Sequence, residues 1–469
     1  MNLEGSAALP VAFLAGAVGV LAFAPFAHGW IAPLSVAVLL WLWQRASANH
    51  AFLLGWAWGI GFMGFGVFWL HHSIAQFGGV NLPLAVIITL LFAACLALFY
   101  GLTGWLVNRF LAPGWRSLLL AYPAAWVLLE WTRSWLFTGF TWLSLGYSQL
   151  DTPLAGYAPL LGLHGVSLLV VLSASLLLRG RPLWLVLLSL LWAGGWQLQQ
   201  LDWSRPSGKP FAVALVQPNI PQAIKWRPEQ FQPTVSLLME FTRKSADAKL
   251  VIWPETAVPA FADQVEERLL GPMHRLLREE GRTLLLGIAV RNKQEGRYYN
   301  ALISLGASGR AHYYKRHLVP FGEYMPLKPL LGPLIEVLAI PMSDFSPGDH
   351  GSPLLELAGH PAGLSICYED TFGREVAEAL PEAEFLVNVS NDAWFGDSLA
   401  PHQHLEMARM RALETGRWLL RATNTGISAI IDDSGRVRVI LAQFRKGMVR
   451  GAVEPRQGIT FYSRWGDWP

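Results

Sequence analysis

Gly363-Leu364-Ser365-Ile366-Cys367-Tyr368-Glu369-Asp370 is a short apolar run that stops abruptly in acidic residues. A run closed by such a polar break predicts a buried strand whose end emerges at a surface. A thiol at that break is held rigidly and stays reachable. The chain has 2 cysteines, and Cys95 falls inside a long apolar stretch, so no disulfide framework is plausible. A free cysteine is usually a small buried hydrophobe. Cys367 is therefore either inert or a nucleophile, and the rest of the sequence has to decide which.

Working outward from that strand, the second half of the chain alternates between periods of two and 3.6. Strands are predicted at 211–217, 250–253, 283–290, 301–305, 362–366, 384–389, 427–431 and 437–441. Helices are predicted at 228–245, 263–280, 374–380 and 402–415. Mixed at these spacings they predict a layered α/β domain. Residues 326–347 are Pro-rich and apolar without a clean period, which predicts a long functional loop, a lid able to dip into a membrane surface.

The first half is of another kind. Hydrophobic residues make up 53% of the 469-residue chain and charged residues 15%, proportions that fit a membrane protein, and the apolar excess lies before about residue 200. Stretches of spanning length run at 8–24, 30–43, 51–70, 82–107, 117–131, 159–178 and 182–198, about seven spans. Arg45, Arg109, Arg116, Arg179 and Arg181 fall in alternate loops, while 25–29, 71–81 and 134–158 carry no Lys or Arg. The positive-inside rule places the Arg-bearing loops in the cytoplasm and delivers everything after 198 to the outer side. The expected organisation is a transmembrane helical domain at 1–205 and a periplasmic catalytic domain at 210–455.

Gly59-Ile60-Gly61-Phe62-Met63-Gly64 matches GxGxxG but lies inside a span and follows no strand. Helix packing by small residues, with Gly55 and Gly59 at GxxxG spacing, is the better account. Glu130 near a span end needs a partner, and Arg133 at i+3 is the ready one. A net charge of +3 without a basic tract excludes nucleic-acid binding. His402, His404 and Glu406 invite a metal site, but i and i+2 do not share a helix face, so no metal is expected.

Three polar positions stand where packing would not ask for them. Glu255 follows Val251-Ile252-Trp253-Pro254, Lys315 lies in Tyr313-Tyr314-Lys315-Arg316-His317-Leu318-Val319-Pro320-Phe321-Gly322-Glu323-Tyr324, and Cys367 ends its strand. Singly, Glu255 could be a turn residue and Lys315 a solvated charge. Together with Gln217-Pro218-Asn219-Ile220-Pro221-Gln222, Lys225-Trp226, Asn388-Val389-Ser390-Asn391-Asp392-Ala393-Trp394-Phe395-Gly396 and Arg421-Ala422-Thr423-Asn424-Thr425-Gly426, these contexts resemble the nitrilase superfamily. Joined to a multi-span first half, they are similar to its membrane branch, the apolipoprotein N-acyltransferases, over essentially the whole chain. Family members carry a further span after this domain. Residues 456–469 are accordingly expected to form an interfacial tail leading to such a span, which this sequence, stopping at Pro469, does not contain.

The resemblance implies a membrane α-helical bundle plus an αββα nitrilase-like sandwich in which Glu255, Lys315 and Cys367 meet as a catalytic triad. It implies transfer of an acyl chain from a glycerophospholipid, through a Cys367 thioester and by ping-pong kinetics, to the N-terminal amine of a diacylglyceryl-cysteine lipoprotein. Glu255 would act as base and Lys315 as oxyanion holder with the Tyr368 backbone N–H. By their positions, Glu323 would orient the lysine or assist proton transfer, or else be a turn carboxylate; Glu369 would support the site; and Trp226 and Trp394 would line the acyl channel or simply pack in the core. No cofactor is expected, and the protein would be a monomer of the bacterial inner membrane. The same residues would serve a membrane-anchored amidase that hydrolyses a small amide. A transporter or receptor with a ligand-binding outer domain would leave Glu255, Lys315 and Cys367 in those contexts unexplained.

Overall fold

The computed structural model describes residues 7–325, 344–349 and 351–467. Each apolar stretch of the first half carries helix: Ala8–Gly19, Ile31–Trp43, Ala48–Gly66, Leu82–Phe110, Tyr122–Arg133, Ala158–Arg179 and Pro182–Leu198. Among the described residues, Leu82–Phe110 and Pro153–Arg179 are long and apolar enough to cross a membrane. Ala48–Gly66 with Leu70–Phe77, bent by 58°, would make a third. Ala8–Ala22, Ile31–Trp43 and Pro182–Leu198 are shorter apolar helices. Local signals set the boundaries: Asn81 caps Leu82–Phe110 by accepting from Leu84 N–H at 3.0 Å, with proline in the first turn.

Glycine lets these helices approach backbone to backbone. A Cβ on Gly55 would lie 2.4 Å from the Tyr100 carbonyl, and one on Gly61 would lie 2.1 Å from that of Phe13. The GxGxxG run therefore sits mid-helix at two helix crossings. The partner expected for Glu130 is a different residue. Its carboxylate accepts from Leu145 N–H at 3.1 Å and lies 3.6 Å from His164 Nδ1. Arg133 turns instead to the Trp142 carbonyl at 2.6 Å, because the irregular chain after it folds back and offers bare carbonyl oxygens.

The second half forms two large sheets, besides a two-stranded pairing of Arg205–Pro206 with Arg456–Gln457. One runs in the order Val437–Leu441, Ser428–Ile431, Leu419–Thr423, Phe385–Ser390, His360–Ile366, Leu354–Leu357. The other runs Gly447–Val453, Phe211–Gln217, Leu250–Ile252, Thr283–Asn292, Arg297–Gly306, Ala311–Tyr314, with Val258–Phe261 beside Thr283–Asn292. Strand alternation sorts the side chains into layers. Val213, Leu215, Ile252 and Leu285 meet Leu364, Ile366, Val387 and Leu420 between the sheets. On one outer face Ala214, Val216, Leu284 and Leu286 lie under Leu238 and Leu277 of helices Pro228–Lys244 and Gly271–Glu279. On the other, Leu386, Leu419 and Ala429 lie under Leu405 and Ala408 of Ala400–Thr415. The result is the αββα sandwich, in which each fully buried aliphatic side chain contributes ~1.5–3 kcal/mol.

Val258–Phe261, Ala311–Tyr314, Leu354–Leu357, Leu419–Thr423 and Gly447–Val453 escape prediction, as do the two-residue strands Arg205–Pro206 and Arg456–Gln457, and two of these have a plain physical reason. Leu419–Thr423 carries the buried Arg421 at its centre, and Gly447–Val453 is an edge strand weakened by two glycines. Ala400–Thr415 looks barely amphipathic because it is covered on both sides. Met407, Met410 and Leu413 enter the core of the helical half while Leu405, Ala408 and Ala412 face the sheet. Its Glu414 carboxylate accepts from Leu163 N–H at 2.6 Å, where Gly162 (φ 66°) breaks the Ala158–Arg179 helix. The tail also packs here, with Tyr462 of Phe461–Trp465 buried against Gly162. The expected lid lies, through residue 343, outside the described residues.

Candidate active site

Cys367 stands where His360–Ile366 gives way to a tight turn, Cys367–Thr371, and takes φ 52°. A side-chain-bearing residue in the left-handed region is strained and must be held there. Asn388 on the neighbouring strand donates to the Cys367 carbonyl at 3.2 Å. The side chain is 8% exposed. Burial pushes the thiol well above its ordinary range and the Glu255 charge pushes it further, against Lys315. At neutral pH it is a thiol, not a thiolate.

Glu369, two residues on, explains how this turn finds Lys315. Its carboxylate accepts from Ile366 N–H at 2.7 Å, Arg316 N–H at 2.6 Å, His317 N–H at 3.1 Å and Tyr313 O–H at 2.9 Å. One buried group thus ties the cysteine turn to the segment on either side of Lys315. Glu369→Ala is expected to leave those donors unpaired and to destabilise the protein by about 3 kcal/mol or more, read as a lowered thermal midpoint. A midpoint equal to wild type would show that the clamp is dispensable.

Lys315 follows Ala311–Tyr314, extends that ladder through its N–H to the Asn300 carbonyl at 2.8 Å, and is 1% exposed. Its Nζ lies 2.8 Å from Glu323 Oε2 and 3.6 Å from Glu255 Oε1. Burial alone would lower this lysine. The Glu323 and Glu255 charges outweigh it and hold the ammonium above its ordinary range, so Lys315 is a fixed cation. Glu255 leaves the Leu250–Ile252 strand at Pro254 and can do so only because Gly287 next door lacks a Cβ, which would lie 2.4 Å from the Pro254 carbonyl. Glu323 is held by Val319 N–H at 2.9 Å.

The fold thus brings Glu255, Lys315 and Glu323 into one hydrogen-bonded cluster with Cys367 in electrostatic reach. It uses the other candidates differently. The Tyr368 side chain points away into the helical half, its O–H donating to the Gly139 carbonyl at 2.7 Å and its ring stacked on Trp142. Trp394 meets Phe77 edge to face at 4.4 Å, at the seam with the bent helix; Trp226 is half-buried beside Lys225. His404 has both ring nitrogens engaged, with Asp370 at 2.8 Å and Asp392 at 3.1 Å, and Glu406 accepts from Ala24 N–H at 3.0 Å.

Asn300 was not among the residues singled out. Its Nδ2 donates to Glu255 at 2.7 Å and to Glu323 at 2.9 Å. The available signal was an amide at the start of the apolar run Ala301–Leu305. Lys225 was noted only as part of a motif. It donates to Thr256 Oγ1 at 2.8 Å and to the Glu255 carbonyl at 3.3 Å.

A fixed cation, a carboxylate and a thiol in one buried cluster can attack and stabilise an acyl carbonyl. Residues 15–176 match the family described as apolipoprotein N-acyltransferase N-terminal domain, and residues 212–458 match carbon-nitrogen hydrolase. Apolipoprotein N-acyltransferases of Methylococcus capsulatus and Nitrosomonas europaea are 48% and 44% identical, over 98% and 99% of this chain and 93% and 95% of their own. A crystal structure of a Saccharomyces cerevisiae nitrilase-superfamily member matches 53% of this chain and 91% of its own at 18% identity, with a TM-score of 0.40. With relatives this similar along nearly its whole length, the chain belongs to the apolipoprotein N-acyltransferase family.

Proposed function

We propose that this membrane protein moves an acyl chain from a glycerophospholipid to the N-terminal amine of a diacylglyceryl-cysteine lipoprotein, with Glu255, Lys315 and Cys367 as the catalytic residues. The observation that carries the reading is the left-handed turn at Cys367, set beside a lysine held by two carboxylates and packed against the apolar half. The Cys367 sulfur attacks the ester carbonyl while Glu255 takes the thiol proton. A resting thiol makes proton removal part of the attack. Lys315, with the Tyr368 backbone N–H, faces the oxyanion. The carbon–oxygen bond then breaks, Glu255 returns the proton to the glycerol oxygen, and a lysophospholipid leaves a thioester. The lipoprotein amine attacks that carbonyl, the carbon–sulfur bond breaks, and the amine proton passes through Glu255 to the sulfur. The two half-reactions share one pocket, which gives ping-pong kinetics.

In this reading residues 1–205 span the bacterial inner membrane several times, residues 210–455 work on the periplasmic side, and a monomer suffices. Both substrates then stay anchored in one leaflet. The continuous core from the helical half to Tyr368, Phe372 and Met410 supports a lipid route to the site. A low-water pocket favours aminolysis over hydrolysis of the thioester. The names of the relatives, at 37–48% identity, favour transfer over an anchored amidase.

Incubating the purified chain with phospholipid alone and measuring intact mass tests this. The expected result is an acyl-sized increase that a diacylglyceryl peptide clears. Free fatty acid without any adduct would favour the hydrolase.

A further inference from the structure

Four ionisable side chains crowd around Glu255, and one of them touches no opposite charge. Glu255 and Glu323 both accept from the single Nδ2 of Asn300, which puts two carboxylates around one amide nitrogen. Lys315 is the ammonium in contact with both, at 3.6 and 2.8 Å. With Cys367 a neutral thiol, these groups leave one surplus negative charge. The fourth side chain is Lys225, at the end of Gln222–Lys225 and 1% exposed. It bonds neutral acceptors, the Thr256 hydroxyl and the Glu255 carbonyl. Among the described residues, no carboxylate comes within 4.0 Å of its Nζ.

A buried ammonium without a contacting carboxylate is costly, and burial brings this one down to about 8 while the Glu255 charge opposes the shift. The benefit lies with the carboxylates. Two of them this close resist ionising together, and a general base has to be ionised before it can accept a proton. Lys225 is attached to the main chain of Glu255 itself and to Thr256, whose φ of 44° also needs an anchor.

We infer that Lys225 is a positioning residue for the base, a second buried cation that balances Glu323 and keeps Glu255 ionised while fixing the Glu255–Thr256 turn. The inference rests on Glu255 being the base that activates Cys367. The groups facing Glu255 are then Lys315, Glu323, Asn300, Cys367 and Lys225, and together with the Glu255 carboxylate they sum to zero charge.

The test follows the alkylation of Cys367 by a small neutral maleimide, read by intact mass across the acid-to-neutral range. It uses the full chain in detergent, with Cys95→Ser removing the competing thiol. Lys225→Gln is expected to move the acid limb of the pH profile upward by about one unit or more, since losing a positive charge favours the protonated carboxyl. Adding Glu323→Gln should move the limb back. A uniformly slower reaction with the limb in its wild-type place would reduce Lys225 to packing and overturn the inference. Lys225→Arg keeps the charge and should hold the limb in place whatever its rate; a limb displaced by Arg as far as by Gln also overturns it. Glu255→Gln separates the two levels. Loss of the acid limb supports Glu255 as base, whereas a retained wild-type limb overturns that reading and the inference with it.

Discussion

Cys367→Ala is expected to abolish acyl transfer, by about 10⁵-fold or more, while leaving the fold intact. The change removes one sulfur from a side chain that is already nearly enclosed. It leaves untouched the Asn388 bond to the Cys367 carbonyl and the Glu369 clamp, both of which act through the backbone. Among the described residues of the cluster, Lys315 is held as a cation, and Glu255 and Glu323 are occupied by Asn300 and Lys315. A single-turnover assay with labelled phospholipid and a diacylglyceryl peptide measures the loss, with a thermal melt as the control for folding. Transfer within tenfold of wild type in a normally melting variant would remove Cys367 from the chemistry.

Lys315→Met is expected to cost twice over. Without the cation facing the oxyanion, the acylation rate should fall by about 10²–10³-fold, since removing one preorganised donor costs ~2.7–4 kcal/mol. Glu255 and Glu323 would also be left around the Asn300 amide with no contacting cation. Breaking a buried ion pair from one side destabilises a protein by ~3–5 kcal/mol. Both losses should appear together, the first as slower thioester formation by intact mass and the second as a lowered thermal midpoint. Lys315→Arg should rescue neither, because a fully enclosed slot shaped for an ammonium has no room for a planar guanidinium. A variant with the wild-type melting temperature and the expected rate loss would mean that the two carboxylates manage without Lys315. One with a lowered melting temperature and wild-type acylation would free Lys315 of any role in the oxyanion.

The outline of the fold was legible because its signals are local. An apolar run and the residue that breaks it are neighbours in sequence, so Ile366-Cys367 and Ile252-Trp253-Pro254-Glu255 could each be placed at a strand end before any contact was known, whereas the strand Ala311–Tyr314 that precedes Lys315 carries no such signal. The long apolar stretches of the first half announced their helices in the same way. Strand Leu419–Thr423 was hidden by Arg421, whose charge reads as surface until its partners Asp370 and Asp392 are seen at 3.0 and 3.2 Å. Glu130 was matched to the nearest cation along its helix, and space supplied His164 instead.

By itself, the sequence determined that a strand-end thiol and a strand-end carboxylate, with a lysine in a polar motif between them, belong to a layered α/β domain behind an apolar helical half. Hydrophobic period and its interruption are written within a few residues, and the chain needs nothing distant to express them. The tertiary structure alone decided which groups complete the pocket and how the two halves join. Asn300 reaches Glu255 across 45 positions of chain, Lys225 across 30, Glu369 fixes Arg316 across 53, and Glu414 caps Leu163 across 251. The reason is burial. A polar group withdrawn from water must take whatever partner packing brings to it, and that partner is set by how sheets and helices stack, not by position along the chain.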